Sequence, residues 1–305
     1  MTTDVGSDRG TVERGHSNGS WTVLRLILWG ADYLGQKGVR RGRLDAEHLL
    51  AHVVGVGRLQ LYLEYDRPLT TDELEGFRPL LHRRAKREPL QYIIGRQPFR
   101  ELDLEVSSAV LIPRPETELL VGEILDWTAR HERAEMTALD VGTGSGAIAL
   151  SLAFEGPFAS VLATDVDEGA LEVARRNRDS AELGDKVELR LGPLFDPLHP
   201  GERFDVIVSN PPYVAESEAV TLDPEVVEWE PKRALFGGAD GLEVVRGLVH
   251  GAREALRPGG LLALEVGVGQ AGPVVRLLED TGQIRELRVR RDYSGKERIV
   301  LARRA

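Results

Sequence analysis

Apolar and polar positions follow two different rhythms along this chain. Up to about residue 87 the pattern is helical. Trp21, Leu24, Leu28 and Trp29 recur three and four apart, and Leu44, His48, Leu49 and Val53 do the same within 43–54. Gly55 and Gly57 break that second helix. Thr71, Asp72 and Glu73 open a third, with Leu74, Phe77, Leu80 and Leu81 on one face. Pro79 falls inside it and predicts a kink or a restart. Residues 20–87 therefore read as a small helical domain. From residue 136 the rhythm changes to short continuous apolar runs, each followed by a loop and a helical stretch. Strands are expected at 137–141, 160–164, 187–191, 204–209 and 261–266, with helices between them. That alternation implies an α/β fold, a doubly wound parallel sheet. Residues 289–292 and 298–302 flank Tyr293-Ser294-Gly295-Lys296 and predict a terminal antiparallel hairpin.

Between the two rhythms lies a linker, 88–112. Gln91-Tyr92-Ile93-Ile94-Gly95 and Leu102-Asp103-Leu104-Glu105-Val106 look strand-like, with a turn containing Pro and Arg between them, so a β-hairpin is expected. The second domain then spans 113–305. Near its start Thr117 is placed to cap a helix carrying Leu119, Leu120, Ile124 and Leu125. Residues 1–19 are rich in Gly, Ser, Thr and charge and read as a disordered tail without the apolar core of a signal peptide. The apolar stretch 23–29 is interrupted by Arg25 and is far too short to span a bilayer.

Composition narrows the function classes. A formal net charge of -10 argues against broad, nonspecific nucleic-acid binding, and no stable nucleic-acid partner is expected. The absence of cysteine removes disulfides, thiolate metal sites and a Cys nucleophile, and fits a cytoplasmic protein. The seven histidines are scattered and form no HExxH pair, so no metal is expected. The run His82-Arg83-Arg84-Ala85-Lys86-Arg87 is the strongest basic patch. It reads either as a solvated helix end, where cations suit the dipole, or as a contact to RNA or an acidic partner.

Two segments at strand ends carry chemistry. The 137–141 strand runs into Gly142-Thr143-Gly144-Ser145-Gly146, a loop whose glycines let backbone approach a ligand closely. The spacing is GxGxG, not the GxGxxG of pyrophosphate binders. Asp140, two residues before the first glycine, would repel a pyrophosphate but could accept from an ammonium group, directly or through water. Asp165 ends the next strand, where an acidic side chain bonds ribose hydroxyls; the competing role is to cap the following helix, for which Asp167 is an equal candidate. Together these features favour S-adenosyl-L-methionine over a dinucleotide. Leu194, after the third strand, would flank the adenine, with Pro193 or Leu194 standing where an acidic residue is common. The 204–209 strand ends at Asn210-Pro211-Pro212-Tyr213, at the sheet edge where such folds bind ligands. The Asn210 side-chain oxygen and the Pro211 carbonyl are acceptors suited to an NH2 group, and Tyr213 could pack against a planar amide or base. An activated methyl beside a held NH2 group makes N-methylation the natural reaction. Arg114 either lines the cofactor pocket or pairs with an acidic neighbour. Glu265 ends the 261–266 strand at the same edge, where a cap or a loop salt bridge is its expected role.

With these residues in view, the chain resembles the bacterial release factor glutamine methyltransferases, the PrmC/HemK family. The resemblance is carried by Arg87-Glu88-Pro89-Leu90-Gln91-Tyr92-Ile93-Ile94-Gly95, by Ile112-Pro113-Arg114-Pro115-Glu116-Thr117-Glu118, by the glycine loop, by Asn210-Pro211-Pro212-Tyr213, by Glu230-Pro231, by Ala234-Leu235-Phe236-Gly237-Gly238-Ala239-Asp240-Gly241 and by Leu256-Arg257-Pro258-Gly259-Gly260. The NPPY tetrad alone is shared with adenine-N6 DNA methyltransferases and some guanine-N2 RNA methyltransferases; the IPRPETE segment is more specific. The resemblance implies a class I S-adenosylmethionine-dependent methyltransferase domain and methyl transfer to the side-chain amide (N5) of the glutamine in the Gly-Gly-Gln motif of class I peptide chain release factors. By matching position it implies that Gly142, Thr143, Gly144, Ser145, Gly146, Asp165, Leu194 and Asn210 bind the cofactor. It implies that Asn210, Pro211, Pro212 and Tyr213 hold the substrate glutamine, and that the helical N-terminal domain helps to bind the release factor. A monomer is expected.

Overall fold

A computed structural model of the chain describes residues 20–131 and 135–305. The expected tail, 1–19, lies outside the described residues. The chain divides into two compact units, Met1–Lys86 and Arg87–Ala305.

The first unit holds four helices: α1 (Val23–Gln36), α2 (Gly42–Val54), α3 (Arg58–Leu63) and α4 (Thr71–Ala85). The buried face of α1 is Val23, Leu26, Ile27, Gly30 and Leu34, not the stripe through Leu28, which is exposed. Trp21 and Trp29 instead begin an aromatic ladder that continues through Tyr33 to His82, with centroids about 6 Å apart. Gly30 allows the helices to close, since an added Cβ would press on Phe77 and Ala46. Thr70 and Glu73 form a reciprocal capping box at the start of α4. Pro79 neither ends nor restarts this helix, which runs unbroken across it. Both Pro79 and Glu75 are exposed, so the carbonyl that loses its partner faces water. The basic run at 82–87 is not one patch. Arg84 turns inward and pairs with Asp45 at 2.7 Å, both nearly buried.

The second unit begins with a short helix, α5 (Leu90–Ile94), where a strand was expected. Pro89 stands at its N-cap, Gly95 ends it in the left-handed conformation, and Tyr92 and Ile93 are buried side by side rather than alternately. The hairpin follows, displaced by a few residues: β1 (Arg96–Phe99) pairs antiparallel with β2 (Leu102–Glu105). The segment expected to be the turn thus supplies the first strand; Pro98 is tolerated because the hairpin has only two strands and both are edges.

Then come α6 (Pro115–Ala129), β3 (Met136–Val141), α7 (Ala147–Glu155), β4 (Phe158–Asp165), α8 (Glu168–Ser180), β5 (Val187–Leu191), β6 (Phe204–Ser209), α9 (Pro224–Trp229), α10 (Lys232–Leu235), α11 (Glu243–Ala255), β7 (Leu256–Glu265), α12 (Ala271–Glu279), β8 (Ile284–Arg291) and β9 (Glu297–Arg304). Seven strands form one sheet in the order β5-β4-β3-β6-β7-β9-β8. The first five in that order are parallel, and β9 is antiparallel to both neighbours. Strand residues alternate between two cores, as a doubly wound sheet requires. Ala138, Val206, Val208 and Ala263 face α6 and α7, while Leu139, Ile207, Leu262 and Val300 face α11 and α12. This is the fold class expected from the sequence. It places the carboxyl ends of β3 and β6 side by side where the winding reverses.

Candidate active site

At that reversal the Ser209 hydroxyl donates to the Val141 carbonyl at 2.7 Å and ties the two strand ends together. A cavity of about 520 Å³ opens there. Of the residues expected at the site, Gly142, Thr143, Gly144, Ser145, Asp165, Leu194, Asn210, Pro211 and Pro212 line it; Gly146 and Tyr213 do not.

Gly142, Gly144 and Gly146 all have positive φ, at 75°, 56° and 85°. An added Cβ at Gly142 or Gly144 would meet no atom within 4 Å, so these two glycines form a cradle that side chains would fill. Gly146 has another task. It is the N-cap of α7, and an added Cβ would press on Leu150. The Asp165 carboxylate receives the Gly144 N–H at 2.8 Å and the Asp167 N–H at 2.9 Å. Burial raises its pKa, against these two donors. The cap of α8 is Asp167, whose carboxylate accepts from Gly169 and Ala170. Leu194 sits at a left-handed φ of 48° and packs over Gly247 of α11. The Asn177 side chain of α8 was not anticipated. It bridges the Ser145 carbonyl to the backbone of Glu105, fixing the glycine loop against the hairpin.

Asp140 is a correction. It does not line the cavity but is fully buried on the α7 side of β3, the face set by strand parity. Its Oδ2 accepts the Thr143 hydroxyl at 2.6 Å and the Ala149 N–H at 3.2 Å, folding the loop back onto α7. Its Oδ1 is buried without a partner among the described residues. Burial pushes its pKa up to about 7, against the Thr143 and Ala149 donors. Asp140 therefore does not face a ligand in the cavity directly.

At the other wall, Asn210 Nδ2 donates to the Thr117 hydroxyl oxygen at 3.1 Å, and Thr117 donates its own proton to Glu265 Oε2 at 2.7 Å. Thr117 is not the cap expected of it. Arg114 holds the N-cap position with Pro115 at N1, and Thr117 lies buried in the first turn. Glu265 is neither cap nor salt bridge but a fully buried acid. With Nδ2 turned to Thr117, Oδ1 is the end of the Asn210 amide left for a ligand in the cavity. Tyr213 turns away: the Arg298 guanidinium lies 5.5 Å from its ring centroid, and burial raises its pKa. Its carbonyl accepts from Gln270 Nε2 at 2.8 Å, and Gln270 Oε1 accepts the Gly267 N–H. Arg114 pairs with the buried Glu230 at 2.6 Å, the second of its two expected roles.

His48 and His52 stand four apart on α2, a spacing that suits a metal. No cluster of three or more potential ligands surrounds them or occurs elsewhere among the described residues. No helix of the described residues is long and apolar enough to cross a membrane.

Comparison with known proteins agrees with this geometry. Residues 25–95 match the PrmC N-terminal domain family, and residues 116–229 match the methyltransferase small domain family. A release factor glutamine methyltransferase of Geobacter sulfurreducens is 45% identical over 280 residues, covering 92% of this chain and 96% of that protein. One from Rhodopirellula baltica is 40% identical over 287 residues, covering 93% and 97%. Among solved structures, a methyltransferase from Pyrococcus furiosus superposes with a TM-score of 0.51 at 23% identity, over 66% of this chain and 88% of that one. A Thermus thermophilus 16S rRNA N2 G1207 methyltransferase, in complex with AdoMet and guanosine, gives 0.50 at 21%, over 69% and 50%. These two share the fold.

Proposed function

The chain belongs to the release factor glutamine methyltransferase family, and we propose that it transfers a methyl group from S-adenosyl-L-methionine to the side-chain amide nitrogen (N5) of the glutamine in the Gly-Gly-Gln motif of peptide chain release factors. The observation that carries this reading is the orientation of Asn210. Its NH2 end is turned to Thr117, where one N–H donates, so its Oδ1 is the end that offers the cavity an acceptor.

Bound S-adenosylmethionine supplies an activated methyl group. The chain's residues fit such a ligand: Gly142 and Gly144 leave room for it, Asp165 offers ribose hydroxyls a carboxylate, and Leu194 offers the adenine an apolar surface. An amide nitrogen is a poor nucleophile because its lone pair is delocalised. Asn210 Oδ1 and the Pro211 carbonyl each accept one N–H of the substrate amide, which turns the lone pair toward the methyl and favours pyramidalisation. The gain is mainly orientation, for which up to about 7–11 kcal/mol is available in principle. The same two acceptors stabilise the positive charge that grows on nitrogen. Asn210 is not a base, so the proton leaves to solvent. Pro211 and Pro212 hold their carbonyls by fixed φ and form an apolar wall. The helical unit would serve recognition of the release factor. The protein would act as a cytoplasmic monomer with no stable nucleic-acid partner, in keeping with its net charge of -10.

The test is incubation with labelled cofactor and, in parallel, a release factor, the same release factor with its motif glutamine changed, DNA and RNA. Label is expected only in the unaltered release factor, on the glutamine amide by mass spectrometry. Label in DNA or RNA but not in release factor would sink the substrate assignment. Asn210→Ala is expected to lower kcat at least a hundredfold while S-adenosylhomocysteine still binds, more weakly.

A further inference from the structure

We propose that Thr117 and Glu265 are positioning residues that set which end of the Asn210 amide faces the substrate, so that this orientation depends on whether Glu265 holds a proton. The inference rests on the reading of Asn210 given above and adds to it Thr117, which lines the same cavity, and Glu265, which does not.

Thr117 has one hydroxyl proton. While Glu265 is ionised that proton goes to its Oε2, at 2.7 Å, and the Thr117 oxygen is left able only to accept. The group at 3.1 Å must then be the Asn210 NH2, as observed, and Oδ1 is presented to the cavity. When Glu265 is protonated, its own O–H can donate to Thr117. The Thr117 proton is then released toward Asn210, which satisfies it best by turning Oδ1 inward and showing NH2 to the cavity. Two NH2 groups face to face repel, and the substrate amide loses one of its two acceptors, keeping only the Pro211 carbonyl. Nothing else on the chain needs to move.

Glu265 is suited to such a switch. It lies at the carboxyl end of β7, fully buried, and its Oε1 has no partner among the described residues. The charged or titratable groups around it come from three elements. Arg114 and Glu116 start α6, Arg298 lies on β9, and Tyr213 follows β6. Burial pushes the Glu265 carboxyl up to about 7, opposed by the Thr117 hydroxyl and by Arg298 and Arg114, and reinforced by Glu116. Arg298 is held by the Val266 carbonyl and Arg114 by Glu230, so neither neutralises Glu265 directly.

The experiment measures kcat/KM for release factor methylation from pH 5.5 to 8.5 in four proteins: wild type, Thr117→Val, Thr117→Ser and Glu265→Gln. S-adenosylhomocysteine affinity and binding of the release factor in its presence are followed in parallel. Wild type is expected to lose activity about tenfold per pH unit below about 7. Thr117→Val is expected to lose about thirtyfold or more, and Thr117→Ser to recover most of that loss. Glu265→Gln is expected to be slower and to lose the acidic limb, with S-adenosylhomocysteine affinity changed less than about threefold throughout. A wild-type acidic limb surviving in Glu265→Gln would overturn the proposal, as would a Thr117→Ser variant no better than Thr117→Val. Should Glu265→Gln not fold, the serine and valine pair decides alone. An Asn210→Ala enzyme of full activity would instead overturn the underlying reading of Asn210, whatever the other variants do.

Discussion

Among single residues, Asp140 and Glu265 are the chemically unusual ones, because each is a carboxylic acid with no solvent exposure and no cation on its oxygens. For Asp140 the consequence is thermodynamic. Its pKa is raised from 3.8 to about 7 by burial, so the folded chain keeps a proton that the unfolded chain has already lost at neutral pH. The stability this group contributes is therefore fully present below about pH 4 and is lost as pH rises through about 7. A rise of that size corresponds to a few kcal/mol, on the order of 1.4 kcal/mol per pKa unit. Asp140→Asn keeps an acceptor for Thr143 and Ala149 and has no proton to lose. Its unfolding free energy, by urea titration at pH 5 and pH 8, should fall less between those two values than that of wild type. Equal falls would refute this account of the loop. What the sequence revealed at this scale was identity and not direction. Asn210, the glycines and Asp165 were legible because motif spacing places them at strand ends. The direct contact expected of Asp140 failed because its side depends on strand parity, and Thr117 was misread because a threonine near a helix start looks like a cap. The link from Thr117 to Glu265 spans 148 residues, which no local pattern reveals.

Elements matter here chiefly through how closely their backbones approach. The 237–241 loop packs directly on the NPPY backbone. A Cβ at Gly237 would collide with the Pro212 carbonyl, and one at Gly241 with the Tyr213 carbonyl. Gly237→Ala should therefore push Pro211 and Pro212 away from the substrate nitrogen. A misplacement of about 1 Å costs roughly a hundredfold in rate, so kcat should drop by about that much. S-adenosylhomocysteine binding, which draws on Gly142, Gly144 and Asp165 in this reading, should change little, and a parallel loss of both would point to general unfolding instead. Pro79 offers a cleaner measurement on α4. A proline inside a helix removes one hydrogen bond and costs up to about 3 kcal/mol, and this one is exposed. Pro79→Ala should stabilise the protein by about 1–3 kcal/mol in chemical denaturation; destabilisation would mean that the helix depends on the proline. Element type was legible where runs were long, as in β3, β4, β6 and β7. It failed at α5, where five residues bounded by Pro89 and Gly95 are too few for either periodicity to register. It failed also at α3, a helix of six residues with Leu61 its one buried side chain.

For the molecule as a whole, every residue assigned to cofactor or substrate belongs to the unit Arg87–Ala305, whereas Met1–Lys86 has its own core and its own buried charge pair. Asp45 and Arg84 join α2 to α4 at 2.7 Å, each side chain only 9% exposed. Such a pair adds little over apolar packing, yet taking a charged hydrogen-bond partner away from a nearly buried guanidinium costs about 1.5–3 kcal/mol. Asp45→Ala should thus lower the unfolding transition of the helical unit by an amount of that order. The glycine loop, Asp165 and Asn210 are untouched by the change, so S-adenosylhomocysteine affinity measured by calorimetry at 15 °C should match that of wild type. Methylation of a free glutamine-containing peptide should survive at that temperature, while methylation of an intact release factor should weaken if the helical unit recognises it. The comparison separates the two roles: equal loss on peptide and on intact release factor would remove the case for recognition by the helical unit, and a large loss of cofactor affinity would show that the site depends on the stability of both.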